Sequence, residues 1–225
     1  SVASHNGFAI VKYGDCGGAA KTIGHGMGQA PDMIMVKAIS GGSASSRNWR
    51  VYHKDLTSDY VLYLDLTDGQ ASEAASFGPI GTSTFGVDGG NGTSANGESH
   101  IAYCFARTPG LVGIGSYVGN GSSDGAYIVV DDSASGFKPA FILGKQYNAD
   151  GQNWWIVDNA REPFNSSSGN MSFPNSLAAE ADNSGNAIDF TANGFKPRSA
   201  DTHLNASNST YIYLAFAESP FPLQN

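Results

Sequence analysis

Charge is scarce in this sequence. Only 14% of its 225 residues are Asp, Glu, Lys or Arg, and 12 Lys and Arg face 20 acids, for a formal net charge of −8. So few cations, with no basic run, argue against a grip on nucleic acid phosphates or on an anionic membrane surface. Long apolar runs are missing too. None approaches the roughly 20 residues a membrane helix needs, so no membrane insertion is expected. Cysteine is limited to Cys16 and Cys104, too few for a disulfide framework. Cys104, in the apolar run IAYCFA, reads as a buried thiol, with a bond to Cys16 left open. No stretch holds a helical apolar period for long. DGQASEAASF and NSLAAEADN have room for one or two helical turns at most. The N-terminal SVASHNGFAIVKY shows no signal-peptide pattern, and the start without Met reads as a piece of a longer chain.

Catalytic signatures are absent as well. There is no GxSxG elbow and no nucleophilic Cys motif. The five histidines, His5, His25, His53, His100 and His203, form no zinc-type pair. GNGSSDG, at 119–125, is followed by no helix-forming segment and no Lys-Ser/Thr, which argues against a phosphate loop. Glu73, Glu98, Glu162, Glu180 and Glu218 lie singly. The chain is therefore expected not to be an enzyme and to need no cofactor. Two Asp-rich stretches, VDGGNG (87–92) and VDDSASG (130–136), keep Ca²⁺ open as an alternative. Neither has the full spacing of a calcium loop, and Asx turns are the simpler reading.

What the sequence does hold is 29 glycines, 11% aromatics and many short β-branched or aromatic runs bounded by Gly, Ser, Asn or Asp. FAIVKY, DMIMVKA, NWRVYH, YVLYLDL and HIAYCFA predict strands in the first half. GIGSYVG, AYIVVDD, AFILGK, WWIVDN, AIDFTANGF and TYIYLAFA predict them in the second. Asn-Gly and Asp-Gly pairs between them favour tight turns. The pattern predicts an all-β protein of β-sandwich type, jelly-roll or lectin-like, with long Gly/Ser/Asn-rich loops.

The sequence is also written twice. IVKYGDCGG is answered by IGSYVGNGS, aligning Tyr13 with Tyr117. Pro31 and Lys37 of GQAPDMIMVK match Pro139 and Lys145 of GFKPAFILGK. NWRVYH matches NWWIVD, TFGV matches GFKP at 194–197, and GESHIAYCFA matches NSTYIYLAFA. Five pairs in one order argue for duplication, and a period this long is a small domain rather than a solenoid unit. Two halves, 1–109 and 110–225, are expected to pack closely across the Pro- and Gly-bearing junction RTPGLVG. The recurring Pro and Lys would then start and end a central strand, the Lys at its solvent end.

Function is expected where the copies differ. Trp49 and Trp154 occupy equivalent positions and are expected to fill each core. Trp155 stands opposite Arg50 in the alignment, and neighbours in a strand point to opposite faces. An outward Trp155 beside Asp158, Asn159 and Arg161 would suit a sugar ring, with burial the alternative. The matching residues of the first copy, Arg50, Tyr52 and His53, complete the candidate set.

Taken together, the stretches GFAIVKYGDCGGAAKTIGHGMGQAPDMIMVKA, NWRVYHKDL, HIAYCFA, GSYVGNGSSDG, GFKPAFILGK, NWWIVDNARE and TYIYLAFAESPF resemble a domain of tailed-bacteriophage tail-fibre and other virion proteins. It is common in phages of marine cyanobacteria. The resemblance implies an extracellular virion module, forming a homotrimer, that attaches to a host cell-surface glycan or outer-membrane receptor. A structural virion module, either a capsid decoration or a fibre spacer, is the second expectation. A glycan-degrading spike enzyme is the third.

Overall fold

The computed structural model describes residues 1–5, 7–74, 76–87, 92–130, 136–161, 165, 169–183, 185 and 187–220, with the backbone alone for 181–183. Strand makes up 44% of the chain and helix 2%, so the protein is all-β. Contacts divide it into two compact units. The first is Ser1–Leu66 with Gln70–Ala106; the second is Thr67–Gly69 with Arg107–Asn225.

The first unit contains β1 (Val2–His5), β2 (Phe8–Tyr13), β3 (Lys21–Gly24), β4 (Met33–Ser40), β5 (Arg50–His53), β6 (Tyr60–Tyr63), β7 (Ala71–Ser72), β8 (Thr84–Val87) and β9 (Ser99–Phe105). Its main sheet runs β1-β2-β9-β4-β5-β6-β7, and β3 pairs with β8 as a second layer. Strand β9 buries every second residue, as a sheet with one dry face requires. The dry face presents Val11, Ala102, Val36 and Cys104, and Phe85 and Val87 of β8 close the same core from the other side.

In the second unit lie β10 (Val112–Val118), β11 (Ile128–Val129), β12 (Pro139–Gln146), β13 (Trp154–Asp158), β14 (Gly169–Met171), β15 (Ala181–Asn183), β16 (Ile188–Thr191), β17 (Gly194–Pro197) and β18 (Thr210–Ala217). The main sheet runs β10-β18-β12-β13, and β11-β17-β16 faces it. One core, including Ile142, Trp155, Phe190, Phe195, Tyr213 and Ala215, draws on both layers.

The two units repeat one another in their central strands. The order β2-β9-β4-β5 in the first is β10-β18-β12-β13 in the second, and β8 corresponds to β17. Register is kept as well: Tyr13 faces His100 where Tyr117 faces Tyr211, and Lys37 faces Ile101 where Lys145 faces Ile212. Each first-strand tyrosine stacks on that partner, at 5.1 Å and 4.9 Å between ring centroids. It meets the phenylalanine of the second layer edge-on, Phe85 or Phe195. It also donates its hydroxyl to a backbone carbonyl 2.7–2.8 Å away, Thr93 O or Leu204 O. A buried phenol needs such an acceptor, so the recurring tyrosine pins a loop to the core in each copy.

Several expectations change. Pro139 does open β12, but Lys145 is fully buried and marks no solvent end. Its ammonium donates to Gln152 O and, at 3.0 Å, to Thr67 O, which is how a buried charge is tolerated without a carboxylate bond. The Trp assignment reverses. Trp155 joins the core between the sheets, whereas Trp154, its neighbour, lies on the other face of the sheet; Trp49 stacks on Tyr103, on the non-core face of β9. DGQASEAASF and NSLAAEADN contain β7 and β15 rather than helical turns. Cys16 and Cys104 are both free and buried. Burial pushes the Cys104 thiol up to about 12 and that of Cys16 upward, so both are inert.

Candidate functional site

Trp155 is 0% exposed, so it offers no platform to a sugar. The cause is its place in the register. Gly115, Tyr213, Gly144 and Trp155 stand side by side on the core face of the second unit, since residues directly opposite in a ladder point the same way. The indole lies over Gly144, where an added Cβ would sit 2.1 Å from Trp155 Cζ2. The tyrosine ring likewise covers Gly115, whose Cβ would come 2.8 Å from Tyr213 Oη. The first unit fills the same row with Val11, Ala102, Val36 and Arg50. Two glycines opposite two large rings thus replace Val11, Ala102, Val36 and the long Arg50, so large and small side chains are redistributed along the row.

The residues following Trp155 are spent on structure. Asp158 accepts from Ala160 N at 3.1 Å and Arg161 N at 2.9 Å, and pairs with the Arg161 guanidinium at 2.6 Å. Arg161 also donates to Ser172 Oγ at 2.6 Å and to Glu180. Burial opposes the Asp158 charge, but the Arg161 bonds win and hold its carboxyl below the usual range. Asn159 donates to Glu218 at 2.6 Å, and Lys138 pairs with the same oxygen at 3.0 Å. His53, the counterpart of Asp158, does the same local work: its Nδ1 accepts from Asp55 N at 3.2 Å, as Asp158 accepts from Ala160 N. An alignment difference here preserves one turn-capping role.

Arg50 differs more deeply. It brings a charge into the core row, at 7% exposure. Glu73 answers it with two bonds, Nε to Oε2 at 2.7 Å and Nη2 to Oε1 at 3.1 Å. Tyr63 donates to the same carboxylate at 2.6 Å and Ser76 also donates to it; the guanidinium sits 5.6 Å from the Tyr63 ring centroid. Burial pushes the Glu73 carboxyl up, yet Arg50, Ser76 and Tyr63 together pull it down, and the net shift is downward. Thr93 donates to Ser76 O and accepts Tyr13 on its own carbonyl. A polar chain therefore runs from Arg50 through the interior of the first unit to the Tyr13–His100 stack. Sequence pattern gave no hint of it, because Glu73 and Ser76 lie in a stretch without strand or motif signals.

A groove of about 420 Å³ opens beside this chain. Tyr52, His53, Thr57, Asp59, Tyr60 and Phe77 line it, and Glu73 reaches it. The loop on its rim is braced: Gln70 accepts from Thr57 N at 3.0 Å and donates to Thr57 Oγ1 at 2.9 Å. Asp59 adopts a left-handed conformation, φ 66°, and its carbonyl takes Glu73 N at 2.8 Å. Tyr52 leans on Phe77 with centroids 5.8 Å apart. Of the candidates named from sequence, Tyr52 and His53 meet here; Arg50 acts behind the groove through Glu73, and Trp155, Asp158, Asn159 and Arg161 belong to the second unit. Among the described residues no group of three His, Cys, Asp or Glu is placed to hold a metal. The two Ca²⁺ candidates lie outside the described residues except for Val87, Gly92, Val130 and Gly136.

Residues 1–220 match the family profile described as a domain of unknown function, DUF7483, and the chain belongs to that family. No curated protein and no solved structure matches it.

Proposed function

We propose that this DUF7483 member is the attachment module of a tailed-phage fibre, and that it engages a host cell-surface glycan or outer-membrane receptor through the Tyr52–Tyr60 groove of its first unit. The observation that carries the reading is that groove. It combines two half-buried tyrosines with exposed Thr57, Ser58 and Asp59 on a braced loop, the mix of flat apolar surface and hydroxyl or carboxylate partners that holds a sugar. Binding rather than hydrolysis suits it. Glycoside hydrolysis needs one carboxyl to act as an acid, and Glu73 is instead held ionised by three donors. A trimer of such modules would multiply a weak site by avidity.

One observation favours a second reading, the structural virion module. Trp155, the most attractive sugar platform in the sequence, is fully buried. The deciding experiment is retention of the chain on host cells, comparing wild type with Asp59→Gly. Glycine keeps the left-handed backbone and removes the carboxylate. The attachment reading expects wild type to be retained and the variant to lose affinity about tenfold, roughly 1.4 kcal/mol. Wild-type protein that binds no host cells would leave the structural reading in its place.

A further inference from the structure

The interior of the first unit carries a buried histidine where the second carries a tyrosine. His100 of β9 occupies the place of Tyr211 in β18, and it is 0% exposed with neither ring nitrogen hydrogen-bonded. Its ring stacks at 12° on Tyr13, the residue directly opposite it in the ladder. The nearest carboxylate is Glu98, itself 1% exposed, with Oε2 3.8 Å from His100 Nε2. That gap is too long for a hydrogen bond. Glu98 is engaged elsewhere: Oε1 accepts from Ser43 N at 2.8 Å and from Arg47 Nε at 3.2 Å. Those bonds hold the turn after β4, where two glycines let the backbone pack closely. Gly41 and Gly42 have φ of 80° and 43°, and a Cβ on Gly41 would lie 2.0 Å from Gly97 O. The same turn lines a hollow of about 640 Å³.

We propose that the first unit carries an acid-operated latch: protonation of His100 draws Glu98 away from the turn 41–47 onto the imidazolium, and loosens that turn. The proton comes from solvent and creates a second N–H donor 3.8 Å from the Glu98 carboxylate, with Asp15 the other acid acting on the ring. An imidazolium within reach of Glu98 competes directly with Ser43 N for it, since a charged donor outbids a neutral amide, and it shares the carboxylate with the Arg47 guanidinium as an equal. The other groups facing His100 are Arg47, Arg50 and Asp15, with the Tyr13 ring against its face. Burial holds His100 below its ordinary 6.5; Glu98 and Asp15 oppose, and Arg47 and Arg50 assist. A folded value below the unfolded one means fewer protons bound when folded. Stability is then complete above about 6.5 and declines as pH falls through the folded value. At the matching corner of the second unit stand Tyr211, Ser209 and Gln152, so the histidine–carboxylate pair is replaced there, and Lys145, which donates to Gln152 O and sits at about 8, is the titrating group beside them. The second copy is the control built into the chain.

Amide hydrogen exchange tests the latch, comparing about pH 7.5 with about pH 5 after correction for intrinsic rates. The expected result is a several-fold rise in exchange at Ser43–Arg47 on acidification, with no such rise across 146–152 of the second unit. Equal responses at the two corners, or none at either, overturn the proposal, and that comparison needs no variant. His100→Tyr, which copies Tyr211, is expected to abolish the rise. Glu98→Gln keeps an oxygen for Ser43 N but has no charge to offer the imidazolium, and it too is expected to abolish it. A folded Glu98→Gln protein that responds like wild type also overturns the proposal.

Discussion

Gly144 and Trp155 form the sharpest test of how the second unit packs. An alanine at 144 puts a methyl 2.1 Å from Cζ2, 2.4 Å from Cε2 and 2.6 Å from Cη2 of an indole that is 0% exposed. Carbon pairs rest near 3.5–4.0 Å, so the ring or the strand must move by more than an ångström. The ring has little freedom, because Tyr213 packs beside it in the same row and Phe195 meets Tyr213 edge-on at 5.3 Å. Gly144→Ala should therefore cost about 3 kcal/mol, the upper part of the overpacking range. Trp155→Leu, which opens a cavity instead, should cost roughly 3 kcal/mol by itself. Because each change relieves the other, the double variant should cost about 1–2 kcal/mol less than the sum. Urea unfolding followed by fluorescence reads all three, with Trp49 and Trp154 left as reporters. If Gly144→Ala falls within about 0.5 kcal/mol of wild type, or if the two costs simply add, the account of Gly144 as a seat for the indole is wrong.

Two further outcomes follow from buried charge. Arg50→Met strands the Glu73 carboxylate among Tyr63 and Ser76 and should cost about 3–5 kcal/mol, whereas pairing it with Glu73→Leu should recover much of that; thermal unfolding of the single and double variants measures both. Lys145 is depressed to about 8 from 10.5, by burial above all, against the pull of Asp68 and Asp150. The folded state thus sheds its proton first, so the second unit should gain stability as pH rises from about 8 towards 10.5. Lys145→Met should flatten that rise; a wild-type stability that stays level or falls over the same range would contradict the burial of this ammonium.

Much of the architecture was legible because it is written in local pattern. FAIVKY corresponds to β2 residue for residue, and Pro139 opens β12. The five aligned pairs fall on equivalent strands in equivalent register, since a duplicated hydrophobic alternation fixes which face is dry and register follows from the face. Strands β1, β3, β7, β8, β14 and β15 were missed; β8 is buried over three of its four residues instead of alternating. β1 and β3 are mostly exposed and β7 and β14 very short, so no apolar alternation advertises them. The site was read less well. Tyr52 and His53 line the groove, but Trp155, Asp158, Asn159 and Arg161 serve the fold of the second unit.

The sequence by itself determined the β class, the repeat and most of the strand positions, because composition and period-2 alternation are properties of neighbouring residues. Only the tertiary structure decided which face of β13 is the core, and so which tryptophan is at the centre. Alternation says that Trp154 and Trp155 point apart, not which of them points inward. Gly144, on a different strand, makes that choice by leaving room for one indole. The same holds for Arg50: it enters a core row because Glu73, Tyr63 and Ser76 come from elsewhere in the chain to receive its charge.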